Sequence, residues 1–271
     1  MLGAGIICVG CSHFADNVST DQINNKLNST LWMQNSSTFK ATALQTYNTA
    51  AKNLTKAVNN STVTAVPAQT KQNTDLPPAV VFDIDETVLN NSSYTAQFIL
   101  EDAAYSPQTW DQWIALQQAP AIPGAVSFIN HATDAGVTVI YITNRECKKR
   151  AGINDTCPQK TDTLKNLEKV GIKGLKPANL LLKNEQKGWS SEKESRRRVV
   201  AQKYRIIMLF GDDLWDFLPH EKKYITSEQQ AKLVTAHSEK WGHVWYILPN
   251  PNYGSWWNAL KEPKSQYLQG Y

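Results

Sequence analysis

Hydrophobic and polar positions divide the chain into two regimes. From Phe39 to Val58, apolar residues recur at 39, 43, 44, 47, 50, 51, 54 and 58. That is the spacing of one helix face, and it predicts an amphipathic helix. The stretch "NNSTVTAVPAQTKQNTDLPP", rich in Asn, Thr and Pro, reads as a linker. Beyond it, short apolar runs take over at 79–84, 137–143, 178–182, 205–211 and 243–249. Helical stretches at 124–135, 159–170 and 191–203 separate them. Apolar strands without alternation are buried on both faces, and strands alternating with helices imply βαβ units. The fold class predicted is therefore α/β, a Rossmann-like core with a parallel sheet. The segment 90–122, with Trp110, Trp113 and several Gln, interrupts the first crossover and reads as a small, mainly helical cap. Residues 12–35 are polar and carry only weak signals, so 12–75 is read as an N-terminal helical segment with its linker, and 76–271 as the core.

Composition changes this picture little. The chain has 271 residues, 41% hydrophobic and 19% charged, with a net charge of +4. This is ordinary for a globular protein large enough to bury a sizeable core. No basic stripe points to a nucleic-acid polymer, and "RRR" at Arg196 to Arg198 is read as a solvated helix face.

The first eleven residues, "MLGAGIICVGC", are apolar and uncharged. A membrane-spanning helix needs about 20 such residues. The run suits the apolar core of an export signal, although the usual basic start is missing. "CVGC" loosely resembles a lipobox, with Gly10 before Cys11 and Cys8 in place of the usual Leu. Two readings stand: a periplasmic or outer-membrane lipoprotein anchored by lipid on Cys11, or ordinary signal cleavage. In an exported protein, Cys147 and Cys157, with nine residues between them, read as a disulfide closing a short loop. Two unpaired thiols are the alternative.

The chemistry lies where the apolar runs stop. The first strand ends at Asp83-Ile84-Asp85, the second at Thr143-Asn144-Arg145, and the fourth in "GDDLWDF" with Asp212, Asp213 and Asp216. Open parallel sheets place their ligands at the carboxyl ends of strands. Two carboxylates about 4 Å apart repel by about 4 kcal/mol at an effective dielectric of 20, so such a cluster calls for a hard divalent cation. Mg²⁺ suits one or two carboxylates, waters and a substrate phosphate. Asp83 can then attack phosphorus, Asp85 can serve as acid and base, Thr143 can hold the phosphoryl group, and a lysine should balance the charge.

These residues resemble a known family. "DIDETVLNNSSY", "ITNRE", a lysine before the fourth strand and "GDDLWDF" are similar to the four motifs of the haloacid dehalogenase (HAD) superfamily. The four acids resemble those of its DDDD acid phosphatases. "TWDQWIALQQAPAIPGA" and "PNPNYGSWW" narrow the resemblance to the secreted class C type. The resemblance implies an Mg²⁺-dependent phosphomonoesterase acting on small phosphomonoesters, with nucleoside monophosphates favoured. By position it implies Asp83 as nucleophile and Asp85 as acid/base. The ion falls to Asp83, the backbone carbonyl of Asp85 and Asp212, with Asp216 as supporting acid. Lys193 falls at the family's lysine, just inside a helix that Ser190 or Ser191 could cap; Lys187, in the loop before it, is the weaker candidate. Asp213 stands where Asn is common, which puts its role in ion binding in doubt. Trp110 and Tyr253 match positions thought to sandwich a nucleobase, with packing as the alternative. Asn144 and Arg145 reach substrate oxygens or anchor a loop. His131 and His220 are read as surface or packing residues. A broad-specificity phosphatase, or a non-catalytic storage or binding protein on the same fold, are the rival readings.

Overall fold

A computed structural model of the chain describes residues 20–66, 69, 75–219 and 225–271, with side chains from residue 26 onward. The export and lipobox reading of residues 1–11, and His220, lie outside these residues. Among the described residues no helix is long and apolar enough to cross a membrane.

Five parallel strands form one sheet: β1 (Pro78–Phe82), β2 (Thr138–Glu146), β3 (Leu180–Lys183), β4 (Arg205–Gly211) and β5 (Trp245–Ile247), in the order β3-β2-β1-β4-β5. β1 and β4 are central, and their continuous apolar sequences follow from burial on both faces. Val80 and Phe82 face one core cluster while Ala79 and Val81 face the other. The first face is covered by α2 (Ser37–Asn59), α5 (Ala125–Asp134) and α6 (Pro158–Lys169), through Tyr47, Leu54, Phe128 and Leu167. The second is covered by α7 (Glu194–Ala201), through Val200, together with Trp189 and Phe217. Each expected strand and helix lies within a few residues of its apolar run.

Aromatic packing ties the core to the loop that follows β1. Phe82 stacks on Phe210 at 4.3 Å between ring centroids, and Phe210 stacks on Tyr47 at 5.7 Å. The Tyr47 hydroxyl then donates to the Thr87 carbonyl at 2.7 Å, so α2 braces the turn carrying Asp83 and Asp85. Glu86 within that turn takes a left-handed backbone, with φ of 59°.

The segment 90–122 contains α3 (Ser92–Glu101) and α4 (Pro107–Leu116), the latter started by a Ser106–Thr109 capping box and Pro107. α1 (Thr20–Asn35) packs against α3. α8 (Ser227–Ala236) and the short α9 (Ser255–Asn258) complete the helices described. Neither α1 nor α8 was expected from the pattern of apolar positions.

Two expectations are corrected. Arg196 and Arg197 are buried and only Arg198 is on a solvated face, pairing with Glu194. The buried pair face backbone carbonyls: Arg196 donates to Thr143 O at 2.6 Å and Ser190 O at 2.9 Å, and Arg197 to Asp216 O at 2.9 Å and Leu218 O at 2.9 Å. The helix also begins later than expected. Lys193 is itself the N-cap, without a side-chain cap bond. The Glu192 carboxylate accepts from the Glu194 N–H at 2.7 Å, whereas Ser190 Oγ accepts only from the Glu192 N–H at 3.2 Å. Cys147 and Cys157 are joined as a disulfide, with Cα atoms 4.8 Å apart.

Candidate active site

The ends of β1, β2 and β4 bring the expected residues to one cavity of about 530 Å³, except Thr143, which is buried at the end of β2 and does not line it. Asp83 follows the last residue of β1, its N–H donating to the Phe210 carbonyl of the neighbouring strand at 2.9 Å. Asp212 and Asp213 follow β4, and a single 3-10 turn, Leu214–Asp216, returns Asp216 to the strand end. A side chain at Gly211 would lie 2.3 Å from Asp216 Cβ, so that return requires glycine. Carboxylate oxygens of Asp83, Asp212 and Asp216 all lie within 4.8 Å of one another.

Lys193 sits among these acids. Its ammonium donates to Asp83 Oδ1 and, at 2.5 Å, to Asp216 Oδ1. The other oxygen of Asp216 accepts from the N–H groups of Asp212, at 3.2 Å, and Asp213, at 3.0 Å. Asp216 thereby supports the turn and the lysine at once. Asp212 accepts from Thr87 Oγ1 at 3.1 Å and from Asn250 Nδ2 at 2.8 Å. Lys187, by contrast, is exposed.

Asp85 is held separately. Arg145, itself 1% exposed, donates to Asp85 Oδ1 from Nε at 3.1 Å and from Nη2 at 2.8 Å, and Asn91 Nδ2 adds a bond at 3.0 Å. Thr143 Oγ1 lies 3.5 Å from Asp85 Oδ2. β2 loses register with β3 between Thr143 and Glu146, which displaces Asn144 and Arg145 from the regular ladder. Asn144 accepts from Arg196 Nη2 at 2.9 Å. Arg145 thus orients Asp85, and Asn144 takes part in the loop anchor.

The electrostatics follow from burying acids together. Burial pushes the Asp83 pKa up to about 7; Lys193 opposes the rise, and Asp216 and Asp85 add to it. Asp212 is raised well above the ordinary carboxylate range by burial, then by Asp83 and Asp216. Burial alone would lower Lys193, but Asp216 and Asp83 outweigh it and keep the ammonium charged. One buried lysine leaves the cluster with excess negative charge. Its oxygen-only donors fit a hard divalent cation: Asp212 makes no bond to the lysine and Asp83 gives it only Oδ1, whereas both oxygens of Asp216 are engaged by Lys193 and the turn's N–H groups.

Several contributing residues lay outside the sequence expectations. Glu86 is 1% exposed and accepts from the Asn91 N–H at 2.7 Å and from the Tyr253 hydroxyl. Burial, then Asp85, raises its pKa well above the ordinary range. Its place beside Asp85 in "DIDE" was the available signal. Asp213 is committed to structure, accepting from the Trp215 N–H at 3.0 Å and the Ser255 N–H at 2.5 Å. Trp110 and Tyr253 both line the cavity. Trp110 packs edge-on against Tyr94 at 5.0 Å, with the Arg145 guanidinium 5.8 Å from its ring centroid. His131 is exposed, as expected.

Comparison with known proteins agrees with this geometry. Residues 9–256 match the model of the HAD superfamily, subfamily IIIB (acid phosphatase). The fold is similar to the class C acid phosphatase from Bacillus anthracis, with 31% identity and a TM-score of 0.74 over 92% of this chain and 99% of that one. It is similar also to a structure of that class C enzyme with tungstate bound, at 31% identity and a TM-score of 0.76 over 92% and 98% of the two chains. The stem 28 kDa glycoprotein of Glycine max is 27% identical over 143 residues, 51% of this chain and 52% of its own length. The chain spans about half the length of the curated relatives it matches. The acids gathered at the strand ends and the match along most of the sequence lead to one conclusion: the chain belongs to the HAD superfamily, subfamily IIIB, the class C acid phosphatases.

Proposed function

We propose that the chain is an Mg²⁺-dependent acid phosphatase that transfers the phosphoryl group of small phosphomonoesters, nucleoside monophosphates among them, to Asp83 and then to water. The observation that carries this reading is the convergence of buried Asp83 and Asp216 with partly buried Asp212, and Lys193 between the buried two. The tungstate in the Bacillus anthracis enzyme, a tetrahedral oxyanion, supports a phosphoryl site on this scaffold.

Asp83 and Asp212, with the backbone carbonyl of Asp85, would hold the Mg²⁺. Bound there, the ion would neutralise carboxylate charge and polarise a phosphoryl oxygen. A carboxylate oxygen of Asp83 forms the new bond to phosphorus while the ester P–O bond breaks. Lys193 holds Asp83 in place and offers positive charge to the transferring group. Asp85, oriented by Arg145 and Asn91, gives its proton to the departing oxygen. It then takes a proton from the water whose oxygen bonds to phosphorus as the Asp83 O–P bond breaks, which releases inorganic phosphate and restores both carboxyl groups. Thr143 donates its hydroxyl to the phosphoryl group. Trp110 and Tyr253 form the wall against which an aromatic leaving group stacks, a contact worth about 1–3 kcal/mol per base in nucleic-acid proteins.

Turnover of a chromogenic phosphate ester with Mg²⁺ and with chelator tests the reading. Activity should need the ion, and Asp83→Asn should abolish turnover with the circular dichroism spectrum unchanged. Undiminished hydrolysis by that variant removes Asp83 from the mechanism. Comparing a nucleoside monophosphate with an alkyl phosphate separates nucleotide preference from broad specificity. Export with lipid on Cys11 is part of the same proposal, and mass spectrometry of the mature N-terminus distinguishes it from simple cleavage.

A further inference from the structure

Besides the strand-end acids and the aromatic residues, the cavity is lined by Lys26 of α1. Thr30 Oγ1 donates to Asn252 Oδ1 at 3.3 Å, and Asn252 Nδ2 donates to Met33 Sδ at 3.1 Å. These bonds seat α1 against the loop that carries Tyr253. Thr30 and Met33 are buried, and Lys26 stands four residues before Thr30, one turn along the same helix face. That turn brings the Lys26 side chain to the wall of the cavity that also holds Asp83, Trp110 and Tyr253.

The charges around it are already assigned. Lys193 is occupied by Asp83 and Asp216, and Arg145 by Asp85. Among the described residues, no carboxylate lies within ion-pair distance of the Lys26 ammonium. Burial lowers its pKa, and the acids at 83, 85 and 216 pair with Lys193 or Arg145 and not with it. A half-buried ammonium without a counter-charge is costly, and an anion arriving with a ligand relieves that cost.

The geometry points to Lys26 as a specificity-determining residue that binds a second negative charge on the leaving group, so that the site favours phosphomonoesters with an anionic departing group. This rests on the phosphomonoesterase reading above. The second charge has two sources of one chemistry, a further phosphate, as in a nucleoside bisphosphate, or a carboxylate. Both bind an ammonium as a charge-assisted hydrogen bond.

The test compares kcat/KM of the full chain for two substrate pairs: adenosine 3',5'-bisphosphate against adenosine 5'-monophosphate, and carboxyphenyl phosphate against phenyl phosphate. The wild-type chain should favour the doubly anionic member of at least one pair. Lys26→Gln should reduce that preference about tenfold, chiefly through KM, as expected for one lost charge-assisted contact. Lys26→Arg should restore most of it, and added salt should erode the wild-type preference. The pair that responds identifies the source of the charge. Equal losses on both members of each pair, or no change on either, overturn the assignment of Lys26 while leaving the phosphatase reading intact. A wild-type chain that hydrolyses none of the four esters overturns both.

Discussion

Lys193 lies between Asp83 and Asp216 and donates to Oδ1 of each, with all three side chains more than nine-tenths buried. The lysine comes from the start of α7, the acids from the ends of β1 and β4, so one ammonium holds three elements together. Lys193→Met would leave these acids and Asp212 without their cation. Removing one partner of a buried ion pair costs about 3–5 kcal/mol, and the turnover number should fall by about a hundredfold or more. The variant should also depend more heavily on added Mg²⁺, because the uncompensated acids bind a dication more tightly. Thermal denaturation with and without chelator checks this: the gap in Tm should be wider for the variant than for the wild type.

The same burial sets how stability varies with pH. In the folded state Asp83 holds its proton to a pH of about 7, whereas an unfolded Asp releases it near the ordinary value of 3.8. Between these values the folded state binds more protons, so the free energy of unfolding falls as pH rises. Asp212 and Glu86, both raised by burial, act in the same direction. The chelator-treated protein should therefore lose Tm between pH 4 and pH 7, and saturating Mg²⁺ should flatten the profile by neutralising the acids. Identical slopes with and without the ion would separate the acids at 83 and 212 from ion binding.

The parts of this site that were legible in the sequence are those whose signal is local. An apolar run that stops at an acid or a hydroxyl marks a strand end, and three such ends supply Asp83, Asp85, Thr143, Asp212 and Asp216. Long-range partners left no such mark. Arg196 and Arg198 are the same residue type in one helix, and only the carbonyls of Thr143 and Ser190 meeting Arg196 decide which is buried. α1 has no clear apolar stripe, because Leu27 and Leu31 remain exposed while Thr30 and Met33 are buried. Glu86 has no mark in the sequence beyond its place beside Asp85; its burial and its bond from the Tyr253 hydroxyl place it behind the cavity lining.

The loop closed by the disulfide runs from β2 to α6 and ties α4 to α6 through Arg150. Arg150 within it donates to Asp111 of α4 from Nε at 2.8 Å and from Nη2 at 3.0 Å, and also pairs with Asp162 of α6. Burial alone would raise Asp111, but hydrogen bonds from Arg150 and Gln159 outweigh it and hold the carboxyl below its ordinary range. Asp111 is the neighbour of Trp110, so loosening the loop should loosen the stacking wall. Cys157→Ser should cost about 2–3 kcal/mol of stability by the loop-entropy argument. It should raise KM for nucleoside monophosphates several-fold more than KM for a small alkyl phosphate. Steady-state kinetics on the two substrates, with Tm measured alongside, tests this, and a uniform change in KM would show that the loop supports the fold alone.

Arg196 and Arg198 offer the sharpest contrast within one element. Arg196 is fully buried, and its fork joins the Thr143 carbonyl, Asn144 Oδ1 and the Ser190 carbonyl, so it fixes the end of β2 relative to the start of α7. Those two points carry Thr143 and Lys193. Arg196→Ala would strand the buried Thr143 carbonyl and release Asn144 and Ser190 from the fork. An unsatisfied buried group costs about 1–3 kcal/mol, so the variant should lose at least about 1 kcal/mol of stability. Where folded protein remains, its turnover number should fall while Mg²⁺ affinity changes less, because Asp83 and Asp212 keep their own anchors. Arg198, largely exposed, makes an i,i+4 pair with Glu194, an interaction worth about 0.3–0.5 kcal/mol. Arg198→Ala should therefore shift the denaturant midpoint only slightly and leave kinetics unchanged. Urea unfolding and steady-state assays of both variants decide the matter: comparable effects from the two would mean that the buried fork does not hold the strand end.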